Sequence, residues 1–160
     1  MASITALLHT ENDALRLGRV LETLYACDDI LVVDHASRDA TARVAREYGA
    51  AVLAAVPGAS PEEYVRSAPR GWILCLDPRE ALTEKLAASL FEWKSETFDA
   101  GATAAYAVFL REETAQGWVE VPAAETRLVP RSWSRWKGML PIHHPSATVL
   151  EGELLRFVFP

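Results

Sequence analysis

Residues 4–12 read Ile-Thr-Ala-Leu-Leu-His-Thr-Glu-Asn, an apolar run that passes directly into polar residues. Short apolar runs bounded by polar residues are typical of strands that are buried on both faces. The apolar residues that follow, between positions 17 and 24, recur at the spacing of one helical face. This stretch therefore predicts a buried strand, Ser3–His9, and then a helix, Asp13–Leu24, for which Asn12 provides the N-cap.

The same strand-and-helix unit recurs along the first half of the chain. Further apolar strands are predicted at Ile30–Val33, Ala50–Val56 and Trp72–Leu76. Helices are predicted to begin near Asp39, at the capping pattern Ser60-Pro61-Glu62-Glu63 and at Thr83, and Gly49 is placed to close the second helix. Alternating strands and helices indicate an α/β protein with a mainly parallel sheet flanked by helices.

Three polar clusters follow the ends of predicted strands, at Thr10–Asn12, Asp34–Asp39 and Asp77–Glu80. The carboxyl ends of parallel strands share one edge of a sheet, and ligands of α/β proteins bind at that edge. The sequence therefore predicts a single binding site to which all three clusters contribute.

The character of the chain changes near residues 95–103. Beyond this point short strands are predicted without long helices between them, at Ala104–Arg111, Trp118–Val121, Arg127–Pro130 and Leu154–Phe159. No low-complexity linker and no internal repeat separates the two parts. We expect one domain over residues 1–160, in which residues 96–160 add a short mixed β extension to the α/β part in residues 1–95.

The composition argues against several classes of protein. The chain has 160 residues, a net charge of −6 and a pI near 5.2. An acidic protein is not expected to bind nucleic acids non-specifically, because their backbone is negatively charged. Its two cysteines, Cys27 and Cys75, are too few for a disulfide scaffold, and we expect both to be buried thiols. No apolar run approaches the ~20 residues that a membrane span needs, and no basic leader precedes the first strand, so we expect a cytoplasmic protein. Glycine-rich phosphate loops are absent from the sequence.

Several stretches resemble the nucleotide-sugar-binding half of family 2 glycosyltransferases, which have the Rossmann-like GT-A fold. Ile4–Asn12 is similar to the first strand of that family with its Thr-x-Asn ending, and Cys27–Asp34 to the second strand with its terminal aspartate. His35–Thr41 is similar to the polar loop that follows, and Gly71–Glu80 to the strand that leads to the metal-binding DxD element. The resemblance assigns residues 1–95 to the binding of a nucleotide-sugar.

The tail of the chain resembles the lipopolysaccharide-core type of β-glycosyltransferase. Arg127–Arg131 is similar to an Arg-Leu strand of that group, and Met139–Pro145 to its histidine-containing turn. The resemblance implies transfer of a sugar from a UDP-type nucleotide-sugar to a hydroxyl of a glycan or glycolipid, with residues 96–160 as a reduced acceptor-side region. A position at the inner face of a membrane is compatible with such an acceptor.

Thr10, Asn12 and Asp34 are the predicted contacts of the nucleotide. Asp34 could accept hydrogen bonds from a uracil or ribose group, or, as an ordinary loop aspartate, from nearby backbone N–H groups. Thr10 and Asn12 could contact the base or serve only to cap the following helix. For Asp39 a helix cap is the favoured role.

The residues Asp77-Pro78-Arg79 stand where the family pattern has two aspartates around one residue, a degenerate DxD motif. Three interpretations are open. Asp77 and Glu80 hold a divalent ion, Mg²⁺ or Mn²⁺, with Arg79 turned away. Alternatively, Arg79 pairs with the diphosphate and no metal is needed. In the third, the site has decayed, the fold is not catalytic and Asp77 and Arg79 form a surface ion pair.

His143 is the predicted catalytic base, because an imidazole titrates near neutral pH and the flanking Pro141 and Pro145 fix its segment. His144 is a second candidate, and a structural or solvent-exposed role is the alternative for both. No zinc site is expected, because His9 and His35 are the only other histidines.

Basic and aromatic residues alternate in the tail, at Arg127, Arg131, Trp133, Arg135, Trp136 and Lys137. Such a patch can bind single-stranded nucleic acid. We favour contact with a diphosphate, or a solvated strand edge whose tryptophans cover the core.

Two other hypotheses stand beside the glycosyltransferase. One is a non-catalytic glycosyltransferase-like module for nucleotide binding or protein interaction, and the other is a nucleotidyltransferase-like enzyme on a similar sheet. Only about 65 residues follow the donor half, which favours a reduced member of the family. Exposed strands in this second half are compatible with a homodimer.

Overall fold

The computed structural model describes residues 2–69, 71–97 and 105–159. Its strands are β1 Ile4–Thr10, β2 Asp29–Asp34, β3 Ala51–Ala54, β4 Trp72–Leu76, β5 Glu80–Leu82, β6 Tyr106–Thr114, β7 Gly117–Glu120, β8 Glu125–Pro130, β9 Trp136–Lys137, β10 Leu140–Pro141 and β11 Thr148–Arg156. Its helices are α1 Ala14–Leu21, α2 Thr41–Glu47, α3 Pro61–Val65 and α4 Glu84–Glu96. Within this part of the chain no helix is long and apolar enough to cross a membrane.

The main sheet has the order β3-β2-β1-β4-β8-β6-β11-β5, and β7 pairs with β6. β3, β2, β1 and β4 are parallel, as predicted. From β4 onward the sheet is mixed: β8 runs antiparallel to β4 and β6, whereas β6 and β11 are parallel. A two-stranded antiparallel sheet of β9 and β10 lies beside it. The predicted α/β class with a mixed β extension is confirmed.

Strands β1 and β4, in the middle of the main sheet, are buried on both faces, which explains their mainly apolar sequences. On one face Ile4, Ala6 and Leu8 of β1 belong to a core that includes residues of α1 and α4. On the opposite face Leu7 belongs to a second core with Tyr64 of α3. Cys75 of β4 is buried in this second core, as predicted, whereas Cys27 is half-buried and packs against the first core. Burial raises the pKa of both thiols to about 12, which disfavours the reactive thiolate.

The helix ends follow the predicted signals in part. Thr83 caps α4, since its hydroxyl accepts from the Leu86 N–H at 3.2 Å. Gly49 has a φ of +85° directly after α2, as expected for a helix-closing glycine. Asn12 is not the N-cap of α1: Asp13 occupies that position, and Asn12 has a left-handed φ of +53°. α1 also ends at Leu21, earlier than the predicted Leu24.

The second half contains more strand than predicted. β5, β9 and β10 were not expected, and β11 begins at Thr148 rather than at Leu154. The early part of β11 mixes apolar, charged and glycine residues and contains a register shift between Val149 and Glu153, so it lacks the apolar alternation of a regular strand. Ala104 and most of the predicted boundary at 95–103 lie outside the described residues.

Candidate functional site

A cleft of about 410 Å³ opens at the carboxyl ends of β1 and β4. The loops after β1, β2 and β4 all contribute to it, with the lining residues His9, Thr10, Glu11, Asp13, Arg16, His35, Asp77, Pro78 and Arg79. The structure thus brings the predicted residues Thr10, Asp77 and Arg79 to one space. Asn12 and Asp34, the other predicted contacts, are not among the lining residues.

Asp34 ties the end of β2 to the end of β1. Its Oδ1 accepts from the hydroxyls of Thr10 at 2.8 Å and Ser37 at 2.5 Å, and its Oδ2 accepts from the Ser37 N–H at 3.1 Å. Thr10 and Asp34 are register partners on the two parallel strands, which explains their contact. The carboxylate therefore organises the loop, as the loop-aspartate alternative has it, and only Oδ2 has room for another donor.

Asn12 and Asp39 join the two polar loops by side-chain hydrogen bonds. The Asn12 Oδ1 accepts from the Arg38 N–H at 2.8 Å, and the Asn12 N–H donates to the Ser37 hydroxyl at 2.8 Å. Asp39 accepts from the N–H groups of Ala14 at 3.2 Å and Thr41 at 3.0 Å, so it serves the first turns of both α1 and α2. Its bond to the Thr41 hydroxyl lowers the pKa of the Asp39 carboxyl. These bonds connect the loop after β1 to the loop after β2, next to the cleft.

Two histidines in the site were not predicted to act together. The His9 Nδ1 and the His35 Nε2 lie 2.9 Å apart in a hydrogen bond, and the Tyr64 ring packs edge-on against His9. One residue precedes the predicted Thr10 and the other follows Asp34, so the parallel pairing of β1 and β2 brings them together. The feature of the sequence that could have predicted this contact is that each histidine is adjacent to a predicted nucleotide contact, Thr10 or Asp34.

The buried imidazole of His9, in contact with His35, should make the free energy of unfolding depend on pH. Burial, reinforced by the neighbouring His35, lowers the pKa of His9 from 6.5 to about 4. Below pH 6.5 the unfolded chain binds a proton at His9 that the folded protein does not, so the free energy of unfolding falls as the pH drops. From pH 6.5 to 5 we expect a loss of about 2 kcal/mol. Urea unfolding across this range should show it, and His9→Phe should flatten the profile; equal profiles for both proteins would contradict the assignment.

Asp77 and Arg79 form an ion pair at the mouth of the cleft. The Arg79 Nε lies 2.9 Å from Asp77 Oδ1, and its Nη2 lies 3.1 Å from Oδ2. The Arg79 backbone N–H also donates to Oδ1, at 2.8 Å. Burial alone would raise the pKa of Asp77, but the hydrogen bonds and charge of Arg79 outweigh it and lower the pKa. Arg79 is thus held against Asp77 and not turned away.

Glu80, the second predicted metal ligand, points away from the cleft. Its side chain is completely buried and meets Arg127 at 2.6 Å (Oε1) and 2.8 Å (Oε2). Arg156 donates to Oε2 at 3.1 Å, and the Asp77 N–H donates to Oε1 at 2.8 Å. Both carboxylate oxygens are therefore occupied by arginine.

The donor set of the cleft does not fit a divalent ion. A Mg²⁺ or Mn²⁺ ion needs several oxygen ligands, whereas Asp77 is engaged by Arg79, and Glu80 by the buried Arg127 and the partly exposed Arg156. Among the described residues no group of three or more His, Cys, Asp or Glu side chains is placed to hold a metal. The guanidinium of Arg79 would also repel a cation bound at Asp77.

His143, the predicted base, lies on the loop after β10 and does not line the cleft as the described residues form it. Its imidazole is exposed, and its Nδ1 lies 3.0 Å from the hydroxyl of the buried Thr126. The same hydroxyl accepts from the His144 N–H at 2.9 Å. When Nδ1 donates to Thr126, the outer Nε2 is free to accept a proton.

The basic-aromatic patch is smaller than predicted. Arg127 is fully buried, so only Arg131, Arg135 and Lys137 are exposed cations of the set. Trp133 is buried in the second core, and its Nε1 donates to the Arg135 carbonyl at 2.7 Å. This agrees with tryptophans that cover the core.

A second cavity, of about 380 Å³, adjoins the cleft and shares His35 with it. Its lining is mostly small or apolar and comes from the loop after β3, from α3 and from the tail, with Ala55, Val56, Pro57, Tyr64 and Met139 among its residues. A polar cleft and an apolar cavity therefore lie side by side at the carboxyl edge of the sheet.

Solved structures of glycosyltransferases share this fold. S. aureus TarS 1–349 in complex with UDP-GlcNAc has a TM-score of 0.54 at 15% identity, over 76% of this chain and 37% of that chain. Glucosyl-3-phosphoglycerate synthase from Mycobacterium tuberculosis, in complex with Mn²⁺, UDP and phosphoglyceric acid, has a TM-score of 0.54 at 14% identity, over 81% and 56%. For mannosyl-3-phosphoglycerate synthase from Rubrobacter xylanophilus the TM-score is 0.52 at 21% identity, over 70% and 40%.

These similarities confirm the predicted GT-A-like fold. The chain spans between 37% and 56% of the lengths of these three proteins. No protein-family model and no curated protein sequence matches the chain. The similarity to the lipopolysaccharide-core group therefore stays a prediction from the tail motifs.

Proposed function

We propose that the chain is a glycosyltransferase-like protein that binds a UDP-type nucleotide-sugar in the cleft and transfers the sugar to a hydroxyl of a glycan or glycolipid. The observation that carries the proposal is the convergence of Thr10, Asp77 and Arg79 at the carboxyl edge of a parallel sheet. The GT-A-like fold supports it, because solved proteins with this fold bind UDP or UDP-GlcNAc.

The two adjoining cavities suit the two ends of a nucleotide. A flat base has apolar faces, which match the cavity lined by Val56, Pro57 and Tyr64. A diphosphate is anionic, and Arg16 and Arg79 are the side chains of the neighbouring cleft that would pair with it, beside the acidic Glu11, Asp13 and Asp77. His35 lines both spaces, so a nucleotide laid across it would reach each of them.

In this proposal the main role of Thr10, Asn12 and Asp34 is to hold the loop beside the nucleotide, and Asp34 can accept one further hydrogen bond. Their hydrogen bonds fix the loop that separates the cavities, as the Asp34–Ser37 and Asn12–Arg38 bonds show. We propose that Asp34 Oδ2 accepts this hydrogen bond from a uracil N–H or a ribose hydroxyl. Rigid positioning of this kind lowers the cost of ordering a ligand.

His143 is the proposed general base. Its Nε2 takes the proton of the acceptor hydroxyl, the resulting oxygen attacks the anomeric carbon of the sugar, and the bond from that carbon to the diphosphate breaks. UDP leaves with the electron pair, and the anomeric configuration is inverted. The role requires that the Thr126 hydroxyl accept from Nδ1, because only the tautomer with the proton on Nδ1 has a free Nε2.

Calorimetry and turnover together test the proposal. UDP-sugars should bind, and UDP release from them in the presence of glycan acceptors should fall about 100- to 10,000-fold in His143→Gln. The matched control is His144→Gln on the same loop, which should stay within about threefold because His144 packs against Trp133. UDP binding should be unchanged in both variants. Absence of binding by any UDP- or GDP-sugar at millimolar concentration would overturn the proposal.

The Asp77–Arg79 ion pair also favours the second candidate, a non-catalytic module that binds a nucleotide or another protein. Nucleotide binding without any turnover, in wild type and His143→Gln alike, would favour this module over the enzyme.

A further inference from the structure

On the basis of the proposed function, we infer that the cleft binds the diphosphate through the guanidinium of Arg79 and needs no divalent ion. The ligand class is a nucleoside diphosphate or its sugar ester, and Arg79 is the residue that distinguishes it from a nucleoside monophosphate.

Arg79 has the donors that such contact requires. Asp77 takes its Nε and one position at Nη2, and Nη1 has no partner among the described residues. The side chain is 48% exposed and lines the cleft, so these outer donors face a space that a ligand can enter. A planar guanidinium matches two phosphate oxygens at once.

Arg79 is also held in position before any ligand arrives. Its backbone N–H donates to Asp77 Oδ1 at 2.8 Å, and its carbonyl accepts from the Phe157 N–H at 2.8 Å. The Asp77 carboxylate fixes the side chain from behind. An arginine that is already oriented loses less conformational entropy when it binds phosphate.

Arg16 supplies a second positive charge on the same cleft. It belongs to α1, its side chain is 32% exposed, and its Nε is 3.6 Å from Asp13 Oδ1. Arg16 and Asp13 thus form an ion pair, but the distance is too long for a hydrogen bond from Nε to that oxygen. Arg79 and Arg16 therefore come from two different elements that meet at the proposed diphosphate position.

A divalent ion would have to compete with these arginines. Binding at Asp77 would break its two side-chain bonds to Arg79, and the displaced cation would remain beside the ion. Glu80 could help only if it left Arg127 and Arg156 inside the protein. The charged lining of the cleft is mixed, since Glu11, Asp13 and Asp77 stand beside Arg16 and Arg79, and the outer donors of Arg79 are the contact that we assign to an anion.

The test measures UDP and UMP binding by calorimetry, in EDTA and in Mn²⁺. The affinity for UDP should be the same in both buffers, and Arg79→Gln should weaken UDP binding about 10- to 100-fold. UMP binding should change by less than about threefold, since UMP lacks the second phosphate. The matched control is Arg43→Gln on the exposed face of α2, which should bind both nucleotides as wild type does.

The outcomes separate this inference from the proposed function. UDP binding that appears only with Mn²⁺ would overturn the inference and leave the nucleotide site standing. Unchanged UDP affinity in Arg79→Gln would also overturn it. Absence of binding by UDP and UMP in either buffer would overturn the proposed function, and the inference with it.

Discussion

Replacement of Arg127 by methionine should destabilise the protein by about 3–5 kcal/mol, because it leaves a buried carboxylate without its main partner. Arg127 and Glu80 are both completely buried and joined by two hydrogen bonds, of 2.6 and 2.8 Å. Arg127 also donates to the Cys75 carbonyl at 3.2 Å and to Glu125 at 2.9 Å. One side chain therefore ties the end of β4 and the start of β5 to β8.

Chemical unfolding in urea measures this loss. The double variant Arg127→Met with Glu80→Leu should recover most of it, because a buried ion pair replaced by apolar groups costs little. The surface control Arg43→Met removes an ion pair whose side chains are 75% and 64% exposed, and should cost no more than about 0.5 kcal/mol. A loss below about 1 kcal/mol for Arg127→Met would contradict the assigned role.

Alanine at Gly152 should cost about 2–4 kcal/mol, from backbone strain and from a collision. Gly152 has a φ of +92° at the irregularity of β11. A Cβ there would lie 2.3 Å from the backbone nitrogen of Leu86 and 2.6 Å from its Cα, inside the first turn of α4. Backbone atoms of a capped helix cannot move aside as a flexible side chain can, so β11 and α4 would have to separate.

Gly58 offers a matched control for the strain alone. Its φ is +79°, but a Cβ there would meet nothing within 4 Å. Gly58→Ala should therefore cost about 1 kcal/mol, and the difference between the two variants measures the collision. If both variants lose the same free energy of unfolding, measured by heat or urea, the close contact between Gly152 of β11 and the first turn of α4 would be contradicted.

The fold of the first half was predictable because its signals are local. The parallel strands are mainly apolar, and Thr83 precedes a helix with an apolar face and caps it with its hydroxyl. β5 and β11 were harder, because Glu80 and Arg156 place charges within them. The partners that neutralise these charges are distant in sequence; Arg156, for example, is 76 positions from Glu80.

The site was predictable to the extent that topology determines it. Thr10 and Asp77 lie at the carboxyl ends of two neighbouring parallel strands, and this position alone correctly predicted that they share one edge of the sheet. The prediction of Glu80 as a metal ligand was wrong. A carboxylate close to Asp77 in sequence is compatible with a metal site, and the ion pair with Arg127 is visible only in the structure. His9 and His35 contact each other across 26 residues, a pairing that depends on the strand register.

Titration of UDP into ¹⁵N-labelled protein, with Mn²⁺ and separately with EDTA, tests the proposed nucleotide site most directly. The backbone amide signals of Thr10, His35 and Arg79 should shift progressively, together with those of the residues around them. Two results would contradict the site: no shift in either buffer at millimolar UDP, or shifts confined to the groove of about 430 Å³ near Tyr25 and Tyr48, at the amino ends of β2 and β3.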